Sequence, residues 1–179
     1  MPRFPYTVFA SLLMAGASLF TTTARADAGD QAEAAAVRKA SITPTRAVRI
    51  AERSGGRAYA FGMESTAHGN WYEIEVLHDG AALEIRIDPD SGKVLGTGKA
   101  HGADAAGAHS LDRSTLTLAA AIAQAERVGN GIAMEASCAG SGDDVHVTVD
   151  VVRGTRIVHY RVSMSGGQIH AVKAVQGAG

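Results

Sequence analysis

A single cysteine in 179 residues leaves the chain without an internal disulfide and without a multi-thiolate zinc or iron–sulfur centre. An excess of either charge sign is missing too, with 17 Lys+Arg against 18 Asp+Glu. With no surplus of cations to neutralise phosphates, composition excludes a basic nucleic-acid-binding protein. Aromatic residues make up 5% of the chain, with one tryptophan, so any core must be built from aliphatic side chains and alanine. Long apolar runs are absent as well. The longest, Tyr6–Phe20, is shorter than the ~20 residues a membrane-spanning helix needs.

That short run reads as an address rather than as fold. Arg3 supplies a positive start, Tyr6–Phe20 is apolar or small, and Ala24-Arg25-Ala26 is an A-x-A cleavage pattern. Residues 1–26 are therefore expected to be a signal peptide, which makes the protein periplasmic or secreted with no membrane span after cleavage. Residues 27–40 form an N-terminal segment, polar and alanine-rich, that suits a short helix or a stalk.

Beyond it the chain repeats itself. Ala51-Glu52-Arg53-Ser54-Gly55 returns as Ala125-Glu126-Arg127-Val128-Gly129, and Met63-Glu64 returns as Met134-Glu135 after a shorter lead-in. Ile85–Val94 lies over Tyr160–Ile169. Each copy opens on a helix signal. Thr43 is an N-cap candidate with Pro44 at the first helical position, and Thr117 caps the second. Gly55 and Gly129 are the stops. The period then switches to two: Tyr72, Ile74 and Val76 alternate with Glu73 and Glu75, and Leu83, Ile85 and Ile87 alternate with Glu84, Arg86 and Asp88. In the second copy Val145, Val147, Val149 and Val151 alternate with polar residues, as do Val158, Tyr160 and Val162. Such alternation predicts half-buried antiparallel strands, joined by hairpin turns at His78-Asp79-Gly80 and Arg153-Gly154.

The expected fold is α+β: two tandem modules, each a helix packed on a three- to four-stranded antiparallel sheet. The first spans 41–97 and the second 114–176, with a Gly/Ala/His linker over 98–113. Val48, Ile50, Ile74, Val76, Ile85 and Ile87 are the first core, and Ile122, Val147, Val149, Val158, Tyr160 and Val162 the second. A module of ~60 residues is marginal alone, so the copies are expected to pack on each other in part.

The capped helix Ala47–Gly55, the strand Tyr72-Glu73-Ile74-Glu75-Val76 and the closing hairpin Ile87-Asp88-Pro89-Asp90-Ser91-Gly92-Lys93-Val94 together resemble the PepSY domain family. The second copy resembles it less, with Ser163 and Ser165 where Asp88 and Asp90 stand. The resemblance implies an exported, non-catalytic protein that binds a protein or peptide and modulates a peptidase. It carries no catalytic residues and no cofactor.

The residues themselves point the same way. Asp88-Pro89-Asp90-Ser91-Gly92 lacks the glycine and glutamate positions of a calcium loop and reads as a turn. Seven histidines raise the alternative of an envelope protein that binds a metal or small ligand. None has H-x-x-x-H, H-E-x-x-H or H-x-H spacing, so no metal residues are assigned; His101, Asp104 and His109 fall in the linker, and His146 and His159 on an exposed sheet face. No G-x-S-x-G elbow or activated serine is present. Cys138 has no nearby cation in sequence and reads as an inert thiol or, unpaired in an oxidising compartment, as one that bridges two chains. The remaining candidate is a binding surface. With Ile74 turned inward, Trp71, Glu73, Glu75 and Leu77 share the outward face, with Arg86 on the neighbouring strand. Trp71 is either exposed there or covered by the second copy.

Overall fold

The computed structural model describes residues 28–100, 115–140, 144–165 and 168–173. The signal-peptide region, most of the expected linker with His101, Asp104 and His109, and the Gly166-Gly167 turn lie outside the described residues.

Among the described residues, three helices form where capping and composition allow them. α1 (Ala28–Lys39) occupies the alanine-rich segment, with Asp30 in its first turn and Arg38 and Lys39 in its last, the arrangement the helix dipole favours. α2 (Pro44–Glu52) starts as read, the Thr43 hydroxyl accepting from the Arg46 N–H at 3.3 Å. α3 (Leu118–Gly129) is capped alike by Thr117, which accepts from Ala120 N–H at 3.2 Å. Its stop is Asn130, left-handed at φ 49°, rather than Gly129. Gly129 is needed for packing instead, since a Cβ there would meet Tyr160 and Val151 at 3.0 Å.

Eight strands are found among the described residues: β1 (Arg57–Thr66), β2 (Gly69–His78), β3 (Ala81–Ile87), β4 (Val94–Lys99), β5 (Ile132–Ala139), β6 (His146–Arg153), β7 (Arg156–Ser165) and β8 (Gln168–Lys173). They make one antiparallel sheet in the order β4-β3-β2-β1-β5-β6-β7-β8. The expectation of two tandem helix-on-sheet modules is therefore wrong, although helices and antiparallel strands are the right ingredients. Ala60, Phe61 and Gly62 of β1 pair with Ser137, Ala136 and Glu135 of β5, and this seam fuses both meanders into a single sheet over a single core. The reason is physical. Each first strand would otherwise end its sheet with a row of unpaired N–H and C=O groups, and each meander alone would bury too little apolar surface. Gly98 and Lys99, read as the start of the linker, belong to the edge strand β4, paired with Glu84 and Leu83.

α2 and α3 lie side by side on one face of the sheet, with α2 over β1–β3 and α3 over β5–β8. Between helices and sheet sit Val48, Ile74, Val76, Ile85, Ile87, Ile122, Val147, Val149, Tyr160 and Val162, all buried as the alternation requires. Ile50 and Val158 are only partly buried at its margin. α1 crosses the opposite face, over β1 and β5. It buries only Ala34, Ala36 and Val37, a hold worth roughly 3–5 kcal/mol of transfer free energy. The chain then rounds the end of the sheet, where Ser41 and Ile42 N–H both donate to the Pro89 carbonyl at 3.0 Å. There the buried Tyr72 hydroxyl donates to the Ile42 carbonyl at 2.9 Å, and burial, followed by the charges of Glu126 and Asp90, pushes its pKa well up.

Candidate functional site

The face of the sheet away from α2 and α3 carries the polar half of every alternating strand. Cross-strand pairing places Arg86, Glu73, Gly62, Glu135, Asp150 and His159 side by side in one row across six strands. Two residues along, Glu84, Glu75, Ala60, Ser137, Thr148 and Arg161 form a parallel row. The residues of each row come from distant parts of the sequence. α1 lies across the middle of both, and its Glu33 joins Glu64, Glu73, Glu75 and Glu135 around an open cleft of about 220 Å³. Ala60 and Gly62 form part of the cleft wall. A second hollow of about 230 Å³ lies beside it, lined by Glu135, Ser137, Thr148, Asp150 and His159.

Of the residues expected to form a binding face, three meet closely. The Trp71 indole N–H donates to Glu73 Oε2 at 3.3 Å, and the Arg86 guanidinium stands 5.2 Å from the Trp71 ring centroid. Arg86 also pairs with Glu84 at 2.7 Å and with Glu73 at 3.7 Å. Glu75 sits in the next row, opposite Ala60 and Glu84. Leu77 lies further along β2 between Arg57 and Ala82, apart from the Trp71 group. Trp71 is half-buried: it is neither a bare surface ring nor a core residue between two modules, because Arg86 stacks on it.

Carboxylates dominate the rest of the face. Burial raises the Glu73 carboxyl, with Glu84 and Glu64 adding to the effect and the Trp71 bond and Arg86 opposing it. Glu135 is raised likewise, first by desolvation and then by Asp150, Asp30 and Glu64, against His159. Although Glu135 keeps an exposed side, its like-charged neighbours push in the same direction as burial does. Glu33, Glu64 and Glu135 escaped sequence reasoning because α1 and the seam bring them to the face, and neither has a local sequence signal.

Among the described residues, the serine and the histidine of this face do not meet. His159 Nδ1 bonds Asp150 at 2.5 Å, but the Ser137 hydroxyl is shared with Thr148 at 3.0 Å. By sheet spacing, Ser137 and His159 backbones are roughly 12 Å apart, two strands and one row away from each other. Arg161 is held by Asp144, whose carboxyl that bond keeps below its usual range. Among the described residues no three His, Cys, Asp or Glu side chains converge as metal ligands. The Asp88 carboxylate, in the loop that superficially suggests calcium, accepts from Ser91 N–H and Oγ–H at 2.7 Å and from Asp90 N–H at 3.2 Å, which makes it a turn. Cys138 is buried on β5. No helix among the described residues is long and apolar enough to cross a membrane.

No family model matches this chain, and no curated protein matches it. Among solved structures, it is similar to the crystal structure of a "putative lipoprotein" from Clostridium difficile 630, with a TM-score of 0.42 and 19% identity over 76% of this chain and 95% of that one. A likeness this loose transfers no activity.

Proposed function

We propose that this chain is an exported, non-catalytic PepSY-like protein that holds a protein or peptide partner on the outer face of its sheet and thereby modulates a peptidase. The observation that carries the reading is the half-buried Trp71, braced by Arg86 and Glu73 beside a cleft lined by Glu33, Glu64, Glu73 and Glu75. A rigid aromatic with a charged rim is the usual composition of a binding hot spot. The surplus of carboxylates over Arg86, Arg161 and His159 on this face favours a partner that presents a basic segment. Export rests on the signal-like residues 1–26, and the modulating role rests on the PepSY resemblance.

Because Trp71 is the sole tryptophan, its fluorescence reports directly on this face. Titration with an arginine-rich peptide should change the emission in a salt-dependent way, and an alanine-substituted peptide should not. The chain should also slow hydrolysis by a thermolysin-type metallopeptidase, and Trp71→Ala should weaken that effect by about 2 kcal/mol. Silence in both assays would overturn the reading, as would peptide hydrolysis by the purified chain itself.

A further inference from the structure

Among the described residues, α1 is the one element on the outer face, and it is seated on unusual ground. Ala34, Ala36 and Val37 are its only buried apolar side chains. The cleft beside them is lined by charges of one sign: Glu33 of α1 with Glu64 of β1, Glu73 and Glu75 of β2 and Glu135 of β5. We propose that α1 is an acid-tightened strap, seated over the β1–β5 seam when the cleft carboxylates are protonated and loosened when they are ionised. Loosening would join the two halves of the outer face into one continuous surface. The strap does not depend on the identity of any partner.

Every element around the cleft contributes. Glu135 faces Asp30 of α1, Glu64 of β1, Asp150 of β6 and His159 of β7, of which His159 alone favours ionisation. Glu73 faces Glu64, Glu84 and Arg86, the last in favour of ionisation, and accepts from Trp71. Asp30 and Glu33 engage other groups as well, and the pH response lies on the sheet side, at Glu135. The sign follows from the raised carboxyls. With α1 seated, Glu135 holds its proton to a higher pH than the ordinary value of 4.5, because burial and the charges of Asp150, Asp30 of α1 and Glu64 disfavour its ionised form. Seating therefore strengthens as pH falls from neutral through the raised values, and gains nothing further below the ordinary one.

Hydrogen exchange on the full chain at pH 5 and pH 8, corrected for the intrinsic pH dependence of exchange, tests this directly. The amides of Ala34–Val37 should exchange several-fold faster at pH 8, while those of α2 and α3 keep their protection and so certify that the fold is intact. Glu135→Gln and, separately, Asp30→Asn should flatten the difference at α1. Equal protection of α1 at both pH values would overturn the strap. So would loss of α1 protection in step with α2 and α3, or a pH dependence that survives both substitutions.

Discussion

The Glu126 carboxylate accepts a hydrogen bond from the Ala133 N–H at 3.0 Å, closing the loop between α3 and β5. Glu52 does the same for Ala58 at 3.3 Å, between α2 and β1. The repeated Ala-Glu-Arg motif thus has a mechanical meaning: its glutamate ties the end of a helix to the start of the next strand. The two strands then bulge at the same place, at Tyr59 and at Met134. By this alignment Met134 corresponds to Tyr59, so the Met63-Glu64 and Met134-Glu135 match in the sequence is out of register with the structure.

Glu126→Ala should cost about 1–2 kcal/mol in urea unfolding, because it leaves the Ala133 N–H without its acceptor. Glu126→Gln should cost less, since the amide oxygen still accepts. Burial raises the Glu126 carboxyl, so its ionised form is disfavoured in the fold. Wild type should therefore gain stability relative to the glutamine variant as pH falls from 8 toward 5.

Gly131→Ala should destabilise by about 1–3 kcal/mol, because the new Cβ would stand 2.4 Å from the Val152 carbonyl oxygen and 2.7 Å from Val151. Gly62→Ala is the contrast. Its Cβ would meet only Glu64 Oε1 at 3.9 Å, so the strand should tolerate it or gain about 0.5 kcal/mol. Thermal unfolding of both variants distinguishes close packing from open space.

Arg86→Ala removes the cation from the Trp71 face, a contact worth about 0.5–1 kcal/mol at a half-exposed site. Acrylamide should then quench the single tryptophan more efficiently, with little change in the unfolding midpoint. Unchanged quenching would mean that Arg86 does not shield the ring.

Asp88→Ala should lower the melting temperature at neutral pH and flatten its fall in acid. Hydrogen bonds from Ser91 hold the Asp88 carboxyl below its ordinary 3.8. A carboxyl held low stabilises the fold above that value, and the contribution is lost as pH falls through the lower, folded-state pKa. Differential scanning calorimetry from pH 6 down to roughly pH 2 reads both effects.

The features legible in the sequence are local. Thr43 and Thr117 caps, the period-two alternation that buries Ile74 and turns Glu73 and Glu75 outward, and the left-handed Asp79-Gly80 turn are all set by residues within a few positions of one another. The rest depends on pairing between distant segments. β1 and β5 gave no clean alternation because Tyr59 and Met134 are extra residues in their ladders, so the strands that join the halves carried the weakest signal. Whether α1 stood free or lay on the outer face depended on what the seam left open beneath it. The row from Arg86 to His159 exists only once β1 pairs with β5, because lateral neighbours in a sheet are chosen by the register of distant strands, and a shift of one residue would send each side chain to the other face.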